Sequence, residues 1–287
     1  MTGIDEAGRG CLAGPVVIAA VTWDPAAVAG LPWFPALADS KTLDEKKREF
    51  LYPHILGAAT RVRTALIGNI IIDHLNILRA TLHGFECVAP EYDPDSPLVI
   101  DGNQKPPSLP WALTLVKGDS RASAVAAAGI VAKVSRDAVM KRAAAAYPDY
   151  GFAVHKGYAT KKHRDQIGAH GNTPLHRKSF KPCSLQSDDE IVGAALEAQL
   201  DQAVDHADLV RCWHGIQRVY HRLPLACVRK LLPEMQRRGL SVLPQADDGA
   251  RWNAVGSLRD TAPAPAAPQP CQNDAPSMEV SSGSLLF

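Results

Sequence analysis

The stretch Gly3-Ile4-Asp5-Glu6-Ala7-Gly8-Arg9-Gly10 decides the reading of this 287-residue chain, because it sets two adjacent carboxylates directly before a glycine-arginine-glycine turn. A glycine-rich turn after a strand commonly holds phosphate through backbone N–H groups. Asp5 and Glu6 would repel that phosphate unless a divalent cation lay between them, so the pattern predicts metal-assisted phosphate chemistry. The rival is a dinucleotide-binding loop, which Gly8, Gly10 and Gly14 loosely imitate. Such a loop must open a helix, whereas Pro15 is followed by Val16-Val17-Ile18-Ala19-Ala20-Val21, which reads as a second strand. A hairpin is therefore expected. An arbitrary Asp-Glu pair is more often two solvated surface acids, and other acids have to change that balance.

Asp101 and Asp119 do so. Leu98-Val99-Ile100 is a short apolar run ending in Asp101-Gly102-Asn103, and Trp111 to Val116 is another, followed by Lys117-Gly118-Asp119-Ser120. Working sites of open α/β sheets gather outside the carboxyl ends of strands, so Asp101 and Asp119 are expected to meet Asp5 and Glu6 there. Carboxylates that close raise one another's pKa, and the usual remedy is one or two Mg²⁺ or Mn²⁺ ions, which favour oxygen ligands. Successive strand residues face opposite sides. Glu6 therefore cannot duplicate Asp5; either the strand twists out of register there, or Glu6 acts partly through its backbone carbonyl.

On these residues the chain resembles the type 2 ribonucleases H (ribonuclease HII). The matching pieces are GIDEAGRG at 3–10, DSKTLDEKKR at 39–48, NILRATL at 76–82, IDGN at 100–103, KGDSRASAVAAAGIVAKVSRD at 117–137, and HKGYATKKH with HRKSF at 155–163 and 176–180. They run in the family's order over nearly two-thirds of the chain, and Arg9 separates it from the type 3 enzymes. The resemblance implies a ribonuclease H-like α/β fold, a mixed sheet flanked by helices. It implies hydrolysis of the RNA strand of RNA–DNA hybrids and nicking at single ribonucleotides in duplex DNA, with Asp5, Glu6, Asp101 and Asp119 holding two ions of Mn²⁺ or Mg²⁺. One ion would activate water and the other would neutralise the leaving 3′-oxygen, giving 5′-phosphate and 3′-hydroxyl ends.

A protein that tells ribose from deoxyribose must contact the 2′-hydroxyl. The resemblance gives that task to the Gly8-Arg9-Gly10 loop and to Tyr158, with Lys41 and Lys156 as further substrate contacts. Alone, Tyr158 would more often be a half-buried core aromatic. Around it lie Lys156, Lys161, Lys162, Arg164, Arg177, Lys178 and Lys181, with His155, His163, His170 and His176, against the single acid Asp165. This predicts a phosphate-binding stripe, although a solvated helix face would account for some of the lysines. The histidines lack metal-ligand spacing and are read as phosphate or hydrogen-bond partners.

The whole chain carries 31 Lys and Arg against 30 Asp and Glu, but residues 1–186 hold 22 against 17, so the basic surplus sits with the catalytic motifs, as nucleic-acid binding requires. Six cysteines without any CxxC predict free thiols in a reducing cytosol. No stretch reaches the apolar length of a membrane span and no signal peptide precedes the Asp5 strand, so a cytoplasmic monomer is expected.

Strands are expected near 2–6, 16–23, 60–68, 97–101 and 111–117, and helices near 43–56, 73–88, 121–146 and 159–169. Thr42 with Glu45, and Ser187 with Glu190, read as capping boxes. Three further helices are expected after Ser187, near 205–221 and 225–238 for the last two. The expected division is a catalytic domain at 1–186, a helical appendage at 187–240 that the family pattern lacks, and a disordered tail at 241–287. That tail ends in Ser281-Ser282-Gly283-Ser284-Leu285-Leu286-Phe287, resembling peptides that dock on the bacterial sliding clamp. Two features depart from the family. Few residues precede the first strand, which is expected to fray unless the true start lies upstream. Gly129 replaces a serine and lowers helix propensity behind the site. Three function classes compete. Retention of all four acids argues against a catalytically inactive binding module, and the missing strand-turn-helix argues against a nucleotide-binding oxidoreductase.

Overall fold

The structure, a computed structural model, describes residues 1–37, 43–185 and 189–241. Lys41, Thr42, Ser187 and the tail with Leu285–Phe287 lie outside the described residues. Among those described, five strands form one mixed sheet in the order β3-β2-β1-β4-β5: β1 Thr2–Ala7, β2 Val16–Thr22, β3 Arg61–Ile67, β4 Leu98–Asp101 and β5 Leu113–Leu115. β1 and β2 form the expected antiparallel hairpin, β3 joins β2 antiparallel, and β4 and β5 continue parallel to β1. The first strand does not fray. Thr2 N–H donates to Pro97 O at 2.9 Å, and Trp23 N–H donates to Met1 O at 3.1 Å.

Ten α-helices accompany the sheet among the described residues. They are α1 Pro25–Ala29, α2 Glu45–Ala58, α3 Asn69–Leu75, α4 Ile77–Val88, α5 Ser123–Ala146, α6 Phe152–His155, α7 Lys161–His170, α8 Glu190–Asp201, α9 His206–Val219 and α10 Leu225–Arg237. Helix α2 is capped by Asp44, which accepts from Lys47 N–H at 2.8 Å. The single helix expected at 73–88 is two. Asn76 adopts φ 72° between α3 and α4, and its side chain accepts from Arg79 N–H to start the second.

Because both sheet faces are covered, β1 is buried along nearly its whole length. Ile4, Ile18 and Ile100 pack with Ile71, Ile72 and Phe85 of α3 and α4 on one face. Val17, Ala19 and Val21 pack with the alanine-rich stretch of α5 and with Leu51 and Ile55 of α2 on the other. Helix α5 reaches β1 this closely because of Gly3: a Cβ there would lie 2.2 Å from backbone atoms of Ala124 and Val125. Gly129 sits inside an uninterrupted α5, so the lost serine does not break the helix.

Helices α8 to α10 bury a core of their own around Trp213, Ile216, Tyr220 and Leu231, with Ile70 of α3 packed against it. One buried carboxylate ties this appendage to the rest. Asp73 of α3 accepts from Lys178 N–H at 2.7 Å and Ser179 N–H at 2.9 Å, and also from the hydroxyls of Ser179 and Tyr220. Burial pushes its pKa up against those bonds. Lys178 Nζ donates to Leu223 O of the appendage. Among the described residues no helix is long and apolar enough to cross a membrane.

Candidate active site

Strand β1 delivers Asp5 and Glu6 at its carboxyl end. Its register runs unbroken from Thr2↔Thr22 to Ala7↔Val17, so the two side chains project to opposite faces without a twist out of register. Asp5 is 3% exposed, and its Oδ1 accepts from Glu6 N–H at 2.7 Å. Glu6 pairs with Arg9, Nη1 to Oε1 at 3.3 Å. Next door, β4 pairs Ile100 with Ile4, which brings Asp101 to the same sheet edge. Asp101 Oδ1 accepts from Gly118 N–H at 2.7 Å, and that bond anchors the 3₁₀ turn Gly118–Ser120 holding buried Asp119. Lys117, left-handed at φ 55°, turns the chain into it. Asp5, Asp101 and Asp119 thus arrive at one edge from β1, β4 and the turn before α5.

A cleft of about 620 Å³ opens there, bordered by Asp5, Glu6, Gly8, Arg9, Arg48, Gly129, Lys133 and Tyr158. Asp101 and Asp119 do not line it. Among the described residues no group of three or more His, Cys, Asp or Glu side chains is arranged to hold a metal ion as it stands. The donor chemistry still suits a hard divalent cation, since all four acids offer oxygen, and Asp5 and Asp119 do so from buried positions.

The loop after β1 is held by two buried arginines. Gly8 has φ 94°, and a Cβ on it would fall 1.9 Å from Arg136 Nε. Arg136 donates to the carbonyls of Pro15, Lys156 and Ala13 at 2.9, 2.8 and 3.0 Å. Arg177 donates to Arg9 O at 2.7 Å, to Gly8 O at 2.8 Å, and to Gly14 O at 3.1 and 2.9 Å. Arg9 and Gly10 remain exposed on the far side of the loop. Tyr158 is 40% exposed, with Lys133 Nζ 5.2 Å and Arg136 Cζ 5.6 Å from its ring centroid. Burial of its lower part pushes the phenol pKa up, so the ring is neutral at pH 7.

Ribonuclease HII is the family whose model matches this chain, over residues 2–183. The chain belongs to that family. Ribonuclease HII of Rhizobium meliloti (strain 1021) is 47% identical over 190 residues, which cover 63% of this chain and 82% of the relative. Among solved structures, ribonuclease H2 from Pyrococcus horikoshii OT3 aligns with TM-score 0.54 at 22% identity, over 64% of this chain and 95% of that one. Bst-RNase HIII in complex with Mn²⁺ aligns with TM-score 0.50 at 20% identity, over 64% of this chain and 67% of that one. As a ribonuclease HII the protein is an endoribonuclease of the ribonuclease H type, a phosphodiester hydrolase. Helices α8 to α10 lie beyond the family match.

The phosphate-binding stripe needs correction. His163, His176 and Arg177 are fully buried, and Lys178, Lys156 and His155 nearly so. Lys156 is no open substrate contact: its Nζ donates to Ala153 O at 2.6 Å and faces Glu45 at 3.7 Å. Arg177 and Lys178 turn inward because backbone carbonyls of distant segments supply their acceptors, a pattern invisible in composition. Lys161, Lys162, Arg164 and Lys181 do stay exposed. Conversely, sequence reading did not assign Arg48 and Lys133 to the site, yet both border the cleft. Their signal was helical spacing: Lys133 lies four residues after Gly129, and Arg48 one turn past the Asp44 cap, each on a cleft-facing side.

Three histidines cluster against the backbone of Gly157 and Tyr158. Rings of His155 and His163 are 4.3 Å apart, and His163 Nε2 lies 3.1 Å from His176 Nε2. Burial pulls His163 down to about 4 and His176 to about 3, from an ordinary 6.5. The unfolded chain therefore takes up protons first as pH falls below 6.5. The enzyme should be fully stable to these groups above that value, and should lose up to about 1.4 kcal/mol per histidine for each pH unit down to about 4. Urea unfolding at pH 7 and pH 5 checks this; equal midpoints would contradict it.

Proposed function

We propose that this enzyme hydrolyses the RNA strand of RNA–DNA hybrids and nicks on the 5′ side of single ribonucleotides embedded in duplex DNA, leaving 5′-phosphate and 3′-hydroxyl ends. The observation that carries the reading is the convergence of Asp5, Asp101 and Asp119 on one sheet edge, beside a loop whose backbone is braced open for close approach. Asp5, Glu6, Asp101 and Asp119 would hold Mn²⁺ or Mg²⁺, two ions in the active complex, which would supply an activated water and neutralise the leaving oxygen. The Mn²⁺ of the Bst-RNase HIII structure supports a divalent cation here.

The chain's own groups set up the substrate. Gly8 and Gly10 let backbone approach the sugar, where a 2′-hydroxyl can be distinguished from hydrogen. Tyr158 offers a neutral ring face braced by Lys133 and Arg136. Arg48 and Lys133 bring cationic groups to the rim of the cleft for phosphodiesters, Lys133 while paired with Asp137 at 2.6 Å. The same reading makes the enzyme a cytoplasmic monomer with catalytic residues in 1–186 and the helices of 187–240 appended, its Leu285–Phe287 end offered to the sliding clamp. An inactive binding module is disfavoured because the sequence retains all four acids, and two of them, Asp5 and Glu6, border the cleft.

Incubating purified protein with duplex DNA carrying one ribonucleotide, in Mg²⁺, in Mn²⁺ or with chelator, tests the proposal. Cation-dependent nicking at that nucleotide is expected, and uncut substrate in both metals would reject it. Tyr158→Ala should lower cleavage at a single ribonucleotide by about tenfold or more while hurting long hybrids less, because only the junction must be read sugar by sugar. Equal losses on the two substrates would reduce Tyr158 to a packing residue.

A further inference from the structure

The three-histidine stack contains a chain of hydrogen bonds whose proton positions are fixed by the backbone. At one end Thr173 N–H donates to His176 Nδ1 at 2.8 Å, so that nitrogen must be an acceptor. The proton of a neutral imidazole then sits on the other nitrogen, and His176 Nε2–H points at His163 Nε2, 3.1 Å away. His163 Nε2 in turn must accept, which leaves its proton on Nδ1. That nitrogen lies 2.9 Å from the carbonyl oxygen of Tyr158. One orientation propagates without conflict from an amide at residue 173 to the carbonyl at residue 158.

The same loop is held from the other side. Gly157 N–H donates to His155 Nδ1 at 3.2 Å, so His155 carries its proton on Nε2, which donates to Tyr150 O at 2.6 Å. Tyr158 N–H reaches His155 O at 2.8 Å, and Thr160 N–H shares the Tyr158 carbonyl at 2.8 Å. Thr160 also caps α7 through His163 N–H at 3.2 Å, tying the helix that carries His163 to the loop it supports. None of the three rings borders the cleft, so their effect on substrate passes through Tyr158.

We propose that His176 and His163 form an ordered donor relay that sets the Tyr158 backbone, and hence the pose in which the tyrosine meets the ribose, making both histidines positioning residues for ribonucleotide recognition. The proposal rests on the sugar-reading role given to Tyr158 above. A neutral ring at both positions is needed, and burial provides it.

Two readouts separate the relay from that role. Long-range ¹H–¹⁵N correlation on the full chain with ¹⁵N-labelled histidine, at pH 7, should find His176 as the Nε2–H tautomer and His163 as the Nδ1–H tautomer. The opposite tautomer or a charged ring at either position overturns the relay. Activity gives the second readout. His163→Phe keeps the ring stack and removes the donor, whereas His163→Asn restores an N–H near the Nδ1 position. The ratio of single-ribonucleotide to long-hybrid cleavage should fall about tenfold in the Phe variant and recover in the Asn variant. If Tyr158→Ala changes that ratio and folded His163→Phe does not, the relay is overturned. If Tyr158→Ala itself leaves the ratio unchanged, the sugar-reading role fails and the tautomers alone judge the relay. They also decide should the Phe variant not fold.

Discussion

Asp101→Asn should lower cleavage by about 10³ or more while leaving the fold intact. The substitution removes the charge but keeps a side-chain carbonyl oxygen, which can still accept the Gly118 N–H bond now made at 2.7 Å. The turn holding Asp119 therefore keeps its anchor, and the urea midpoint should stay close to wild type. What goes is an anion at the edge where cation and phosphodiester are to meet. Initial rates in saturating Mg²⁺ and Mn²⁺ are the measurement. Near-normal turnover in both would remove Asp101 from the site, and a fall in stability alongside activity would shift its role to holding the turn.

Arg177→Met should cost about 3–5 kcal/mol of stability, and cleavage with it. The guanidinium is fully buried and satisfies the carbonyls of Gly8, Arg9 and Gly14, which would otherwise lose their donor. Burial draws its pKa to about 10, so it still carries its charge at neutral pH. Methionine fills much of the volume and offers no donor. Urea unfolding measures the loss, and a change below about 1 kcal/mol would mean that the Gly8–Gly10 loop supports itself.

Arg177 also marks where the sequence stopped being legible. Strands β2, β4 and β5 were readable because each lies in a short apolar run closed by a turn residue, and Asp101 and Asp119 were readable because an acid follows two of those runs. The hairpin at Gly14-Pro15 was plain from the absence of helical periodicity. The site's support was not, because its partners are remote: Arg177 serves carbonyls 163 to 169 residues away, and the three histidines meet only after the 155–176 segment has folded back. A run of basic residues reveals charge but not direction, so inward-turned Lys156, Arg177 and Lys178 looked like a phosphate stripe. The break at Asn76 was missed for a local reason: one left-handed residue interrupts an apolar pattern that is otherwise continuous.

The carboxylate of Asp73 gives the appendage a hold on the rest of the chain that outlasts any function of its own. One of its four donors, the Tyr220 hydroxyl, comes from beyond the family match, as does the Leu223 carbonyl that receives Lys178. Cutting this chain near residue 186 would therefore not return a family-length enzyme. It would strip a donor from a buried carboxyl group, bare Ile70, and loosen the segment from which Arg177 braces the loop. An addition wired in this way cannot simply be cut away; losing it first requires a replacement for Asp73.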